Sequence, residues 1–263
     1  MLRLANVSKR FGGLSVLQDV SFEVPQGRVV GLIGPNGAGK TTVLNIITGL
    51  VAPTSGAITL DGSALTGLKP HQVTRRGVGR TFQNIRVFKE MTLLENVVVG
   101  MHAHLNYGVG GLMFSLPAFR RREHEARDKA RELLSWVGLE GKAFELADNL
   151  SYGDQRKLEL ARALATEPRL LLLDEPVAGM NSGEKVELMK QVGQISRRGY
   201  TILLIEHDMR FVMGLCDQVA VLNFGRIIAE GPPEQIQRNP DVIEAYLGRD
   251  EDAVPGEPLG ATA

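Results

Sequence analysis

Residues 34–41, Gly34-Pro35-Asn36-Gly37-Ala38-Gly39-Lys40-Thr41, constrain this chain more than any other stretch. They fit the spacing G-x-x-x-x-G-K-[ST] of a phosphate-binding loop. The apolar run Val29-Val30-Gly31-Leu32-Ile33 before them reads as a buried strand. Val43-Leu44-Asn45-Ile46-Ile47-Thr48-Gly49 after them reads as a helix closed by glycine. In that context the glycines let the backbone curl and approach a phosphate with no Cβ in the way. The loop N–H groups form a concave nest, completed by the positive end of the helix. Lys40 is then placed to reach β- and γ-phosphates, and the Thr41 hydroxyl to ligate Mg²⁺. The expected nucleotide-binding set is Gly34, Pro35, Asn36, Gly37, Ala38, Gly39, Lys40 and Thr41, extended by Thr42.

A second stretch completes this chemistry. Leu170-Leu171-Leu172-Leu173-Asp174-Glu175-Pro176 is an apolar strand ending in two carboxylates. A central strand of this kind is expected to stop at the C-terminal edge of its sheet, beside the phosphate loop. Adjacent residues at a strand end point different ways, so the two acids can divide the work. Asp174 is expected to hold Mg²⁺ through water. Glu175 is expected to polarise the attacking water, a general-base role worth about 10²–10⁴ in rate.

The rest of the chain alternates strand and helix. Strands read at 2–7, 20–24, 57–60, 78–82 (just before Gln83), 169–173 and 201–205, with a hairpin at 219–223 and 226–230. Lys9-Arg10-Phe11-Gly12-Gly13 reads as a turn presenting one aromatic. From about 84 to 168 the pattern is helical. Thr92 caps one helix there, Gly108–Gly111 breaks the pattern, and Ala126, Ala130, Leu133, Leu134 and Val137 form a stripe on a long helix opened by Arg120-Arg121-Arg122. A further helical pattern covers Glu184–Arg197. Continuous apolar strands alternating with helices predict an α/β fold with a parallel sheet covered on both faces. Residues 249–263, without periodicity, read as a disordered tail.

Composition narrows the setting. Lys+Arg and Asp+Glu are both 30, which argues against a broad surface for nucleic acid or anionic membrane. The single cysteine, Cys216, excludes an internal disulfide and reads as a small buried residue in a reducing compartment. His102 and His104, two apart on a helix, point to different faces and read as no metal pair. The first residues are too few and too polar for a signal peptide, and no apolar run approaches the roughly 18 residues that span a bilayer. The expectation is a soluble, cytoplasmic chain that only a partner could bring to a membrane.

Leu150-Ser151-Tyr152-Gly153-Asp154-Gln155 lies just before a helix through Leu158, Ala161 and Leu164, with Ser151 placed as its N-cap. Here the chain resembles the ABC ATPases, whose signature is Leu-Ser-Gly-Gly-Gln, departing from it at Tyr152 and Asp154. The order of phosphate loop, Thr81-Phe82-Gln83, signature, Asp174-Glu175 and Glu206-His207-Asp208 is that of the family. The resemblance spans roughly residues 2–247. It implies a P-loop NTPase (RecA-like) core with a mainly parallel sheet, an N-terminal antiparallel β region and an inserted helical subdomain. One domain would cover 1–248, its core formed by 1–83 and 169–248 and its helical insert by about 84–168.

The resemblance also implies roles. Phe11 would stack on the adenine of ATP, with Val16 nearby. Gln83 would sense Mg²⁺ and the water, joining Thr41 and Asp174 at the metal, and couple to a membrane subunit. His207 would hydrogen-bond the γ-phosphate, joining Glu175 and Gln83 as catalytic residues. Two cassettes would clamp two ATP molecules head to tail, so that Ser151 and Gly153 act on the partner's nucleotide. Asp154, a carboxylate where the family has glutamine, would either repel that phosphate, so that Asp154→Gln raises turnover, or point to solvent, where salt screens it. Asn181 stands where many of these proteins carry an aspartate that meets the partner.

Arg10-Phe11-Gly12-Gly13, Arg80-Thr81-Phe82-Gln83, Val87–Thr92, Ser115–Arg121, Ala178–Asn181, Ile205–Met209 and Asn239–Gly248 resemble ATPases of branched-chain amino-acid importers of the LivG type. That likeness implies a second, different ATPase subunit, two integral membrane permease subunits on whose inner face the chain sits, and a periplasmic solute-binding protein, with no nucleic acid. Urea or amide uptake and lipopolysaccharide extraction stay open, because nothing in an ATPase sequence contacts the solute. A soluble family member acting on DNA or ribosomes usually carries a long coiled coil or two ATPase units, and neither pattern is seen here.

Overall fold

Leu170, Leu171, Leu172 and Leu173 are all buried, so the strand they form has no solvent face and must be covered twice. The computed structural model describes residues 1–83, 85–101 and 117–247 and supplies both covers. His102, His104, Gly108–Gly111, Ser115, Leu116 and the 249–263 tail lie outside the described residues.

In chain order the strands are β1 (Leu2–Phe11), β2 (Leu14–Val24), β3 (Val29–Ile33), β4 (Ser55–Leu60), β5 (Ser63–Ala64), β6 (Val78–Arg80), β7 (Leu170–Asp174), β8 (Thr201–Ile205), β9 (Gln218–Asn223) and β10 (Arg226–Gly231). The described helices are α1 (Lys40–Ile47), α2 (Pro70–Arg75), α3 (Leu93–Met101), α4 (Pro117–Trp136), α5 (Tyr152–Ala165), α6 (Ser182–Arg197), α7 (Met209–Leu215), α8 (Pro233–Ile236) and α9 (Pro240–Leu247). The larger sheet runs β10-β9-β3-β8-β7-β6, parallel except for the β10 edge. The smaller, β2-β1-β4-β5, is antiparallel throughout.

The Asp174 strand and the phosphate-loop strand are not neighbours, because β8 lies between them, pairing Ile205 with Asp174 on one side and with Leu32 on the other. Consecutive parallel strands joined by one helix tend to become neighbours, so the β7–α6–β8 unit puts β8 in that slot. One sequence expectation needs correction: the segment 9–13 is not all turn. β1 runs on through Phe11 because Lys9, Arg10 and Phe11 pair with Leu17, Ser15 and Leu14 of β2, while Lys9 Nζ and Arg10 N–H reach Ala52 O and Thr54 Oγ1 at 2.7 and 3.0 Å.

Strand alternation sorts the apolar residues into two cores. Leu171, Leu173, Ile202, Leu204, Val219 and Val221 face the core shared with α3–α7. Leu170, Leu172, Leu203, Ile205, Ala220 and Leu222 face the core shared with α1 and the antiparallel sheet. The predicted stripe Ala126, Ala130, Leu133, Leu134 and Val137 is buried in the first core beside Leu158, Ala161 and Leu164. Thr92 caps α3 reciprocally, its Oγ1 accepting from Glu95 N–H at 3.2 Å and Glu95 Oε2 accepting from Thr92 N–H at 2.8 Å. Truncating a side chain in either core leaves a cavity that neighbours fill only partly. Leu172→Ala is therefore expected to cost about 2–5 kcal/mol of unfolding free energy, read from the midpoint of a denaturant titration.

Candidate active site

At Gly34 the chain leaves β3 with φ +150°, and a Cβ there would fall 2.0 Å from Leu222 O. At Gly39, φ +110°, a Cβ would meet the Leu17 side chain at 2.7 Å. These two positions accept only glycine, and between them the loop wraps the start of α1. The first turn of α1 carries no capping side chain and no acidic residue, so nothing there would oppose an anion at its N–H groups. Lys40 Nζ is buried and donates to Gly34 O at 2.6 Å and Pro35 O at 3.0 Å. Asn36, Gly37 and Thr41 are exposed along this cradle, Thr42 is half-buried, and Pro35 and Ala38 are buried beneath it.

Asp174 is buried and its Oδ2 receives the Arg80 guanidinium at 2.9 Å. Arg80 also donates to Asn45 Oδ1 at 2.9 Å and Thr48 Oγ1 at 3.2 Å, both on or just after α1. Arg80 thus ties the end of β7 to the helix that follows the loop. Sequence reading missed this role, because spacing alone does not separate a paired buried arginine from a solvated one.

Glu175 adopts the left-handed conformation, φ +47°, which swings its side chain away from the strand line while its N–H still reaches Ile205 O at 2.9 Å. Its Oε2 accepts from Gln83 Nε2 at 3.0 Å, and His207 Nδ1 stands 3.9 Å from its Oε1. Three predicted catalytic residues from distant stretches therefore meet at one carboxylate. Glu206 holds the histidine segment in place. Fully buried, it accepts from the N–H groups of Val177, His207 and Asp208 at 3.1, 3.0 and 3.2 Å. Burial pushes its carboxyl above the usual range, against the pull of those three N–H groups. The motif Glu206-His207-Asp208 was legible, but the linking role of Glu206 was not.

The signature stretch forms a separate cluster. Ser151 Oγ accepts from Asp154 N–H at 3.2 Å, the predicted cap of α5. Gly153 is buried, and a Cβ there would meet Glu184 Oε1 at 2.7 Å. Asn181 caps α6, accepting from Glu184 N–H at 3.0 Å while Glu184 accepts from Asn181 N–H at 3.0 Å. Asp154 departs from expectation. Its carboxylate is bound by Lys142 at 2.7 Å and Lys157 at 3.4 Å, and Lys157 in turn meets Glu187 at 3.0 Å. Burial raises its pKa, but the Lys142 hydrogen bond and the charges of Lys157 and Lys142 outweigh that and hold the carboxyl below its ordinary value. The charge expected to repel a phosphate is neutralised inside this chain. Phe11 is exposed at the end of the β1–β2 hairpin with Lys9 Nζ 4.7 Å from its ring centre, and Val16 is half-buried on the facing strand.

Residues 17–178 match the family described as ABC transporter, and residues 226–252 match that of branched-chain amino acid ATP-binding cassette transporters. The chain is 49% identical over 249 residues to the high-affinity branched-chain amino acid transport ATP-binding protein BraF of Pseudomonas aeruginosa, covering 94% of this chain and 98% of that one. It is 48% identical to the LivG protein of Escherichia coli, of the same description, over the same shares. Among solved structures, a nucleotide-free ATP-binding cassette from an ABC transporter superposes with a TM-score of 0.82 at 33% identity, covering 94% and 99% of the two chains. A dimeric cassette in a post-hydrolysis state with ADP and Pi gives 0.74 at 27% identity, covering 89% and 99%.

The lysine pairing of Asp154 reverses the first expectation for its substitution. Asp154→Gln is expected to leave ATP turnover unraised and to cost about 1 kcal/mol or less of stability, because Lys142, which loses its partner, is half-exposed and Lys157 keeps Glu187. Turnover and a thermal melt of the variant check both parts.

Proposed function

The chain belongs to the ABC transporter family of ATP-binding cassettes, and on that premise we propose that it is the ATP-hydrolysing subunit of an importer for branched-chain, hydrophobic amino acids. The observation that carries the catalytic part is the convergence of Gln83, Glu175 and His207 at the end of the sheet that also bears the phosphate loop. Support for the solute is the likeness to branched-chain amino acid transport proteins over 94% of the chain, together with the C-terminal match at 226–252.

On this reading the N–H groups around Gly37, Ala38 and Gly39 and the start of α1 cradle the ATP phosphates. Lys40 exchanges the carbonyls of Gly34 and Pro35 for β- and γ-phosphate oxygens. Phe11 lies against the adenine, with Val16 beside it. The Thr41 hydroxyl, the Gln83 side chain and Asp174 are oxygen donors suited to Mg²⁺, which is typically held by one or two carboxylates plus substrate phosphates. When bound, Mg²⁺ neutralises charge on the β- and γ-phosphates. Arg80 occupies one Asp174 oxygen and so fixes the direction in which the carboxylate faces the loop. Glu175 takes the proton of the attacking water, the Gln83 amide orients that water, and His207 donates to the γ-phosphate. Ser151 and Gly153 serve the nucleotide of a second cassette.

Closure of two cassettes on ATP would drive the membrane subunits between their two facing states, and hydrolysis would release them. No helix among the described residues is long and apolar enough to cross a membrane, so two permease subunits would hold the chain at the inner face of the membrane. A periplasmic solute-binding protein would feed them, and a different ATPase subunit would complete the pair. A groove of about 500 Å³ beside the Thr81–Gln83 segment, lined by Leu50, Phe82, Arg86, Phe88, Glu159 and Arg162, is the proposed seat of a permease. Residues 1–248 act as one domain in this scheme, with the insert at about 84–168 carrying the signature.

Purification through this subunit from solubilised membranes is expected to bring a second ATPase and two membrane proteins, and leucine uptake is expected to depend on it. Recovery only with ribosomes or DNA would overturn the proposal. In the assembled transporter, Glu175→Gln is expected to lower ATP turnover about 10²–10⁴-fold with ATP binding retained.

A further inference from the structure

We propose that Tyr152 and Arg156 are positioning residues that hold the backbone of Gln83 and so set its amide against Glu175. The inference rests on the reading of Gln83 and Glu175 as the pair that handles the attacking water.

β6 ends at Arg80, and Phe82 and Gln83 lie outside any strand, so their backbone groups need partners from elsewhere. One face of α5 supplies the partners instead. Residues 152, 156, 159 and 162 are spaced four and three apart, which brings them onto one side of the helix. Arg156 is buried; one terminal nitrogen donates to Phe82 O at 2.7 Å, and the other donates to Gln83 O and, at 2.9 Å, to Tyr152 Oη. Glu159, also buried, accepts from Phe82 N–H at 3.1 Å and faces Arg156 at 3.4 Å. Arg162 donates to Arg86 O, one turn further along. The guanidinium fork is suited to this task, since it can serve two carbonyls and a hydroxyl at once where an ammonium cannot hold that planar spread.

Tyr152 connects this clamp to the other partner of the water-handling pair. Gly179 sits four residues after Glu175 at φ +76°, and a Cβ there would lie 3.0 Å from Tyr152 Cε1. The tyrosine ring therefore rests on the loop that follows Glu175, while its hydroxyl anchors the arginine that grips Gln83. Tyr152 thus touches the loop after Glu175 and, through Arg156, the backbone of Gln83, the two segments joined by the 3.0 Å bond from Gln83 Nε2 to Glu175 Oε2. Glycine, which the signature of the resembled family has at this position, offers neither ring nor hydroxyl. This chain thus couples the stretch that serves the partner's nucleotide to the hydrolytic pair of its own site.

Two measurements test the proposal. In the full chain alone, Tyr152→Phe keeps the ring on Gly179 and removes the acceptor, and Arg156→Lys removes the fork. Both are expected to speed amide hydrogen exchange at residues 82–83 and 85–88 by about tenfold, while Tyr152→Phe leaves the thermal midpoint unchanged. In the assembled transporter, Tyr152→Phe is expected to lower kcat about three- to tenfold at constant KM for ATP, an effect that disappears when Gln83 is already alanine. Unchanged exchange in Tyr152→Phe, or an equal kcat loss in the Gln83→Ala background, overturns the positioning role. Hydrolysis that survives Glu175→Gln overturns the water-handling pair itself, and the exchange result then judges the clamp alone.

Discussion

A sheet whose central strands are apolar on both faces has no side to offer water, and the rest of this structure follows from that constraint. The antiparallel sheet with α1 covers one face, and the helices from α3 to α7 cover the other. With both faces closed, the places left for chemistry are the strand ends and the loops beyond them. Gly34, Asp174, Glu175, Glu206 and His207 all lie at or just past the C-terminal ends of β3, β7 and β8. Burial of the strands thus decides where polar residues gather as well as what stabilises the fold.

Those gathered residues, with Glu159 of α5, bring carboxylates into a poorly solvated region, and each is answered by a different partner. Asp174 meets a guanidinium, Glu159 meets Arg156 and a backbone N–H, and Glu206 meets three backbone N–H groups. An unpaired buried charge would cost several kcal/mol, so none of these partners is optional once the acid is in place. Burial raises the carboxyl of Glu159 as it does that of Glu206, opposed by hydrogen bonds and, for Glu159, by the Arg156 charge. Glu175 differs in kind: its carboxylate meets the side chains of Gln83 and His207.

Much of this was legible beforehand because local rules carry it. The glycine-rich loop, the apolar runs of β3, β7 and β8, the Ser151 and Thr92 caps and the 219–230 hairpin are each set by neighbours in sequence. What escaped reading was set by residues far apart. That β8 separates β7 from β3 depends on how a helical connection returns. That Asp154 is neutral in effect depends on Lys142, twelve residues away across a turn, and on Lys157 one helical turn along. Arg80 and Arg156 look alike in sequence to the exposed arginines of α4, and only the fold separates them. The fold class follows from pattern, whereas the partners of buried charges follow from topology.

The packing of Gly153 against Glu184 carries a consequence for how such a sequence can change over time. Glu184 is held by its reciprocal cap with Asn181, and its carboxylate fills the space where a side chain at 153 would begin. A side chain at 153 would have to displace that carboxylate, whatever the glycine does for a neighbour. Positions 153, 181 and 184, just over thirty residues apart at their extremes, bear on one another: a lineage that gains a side chain at 153 must shift the Glu184 carboxylate, and with it the reciprocal cap that starts α6.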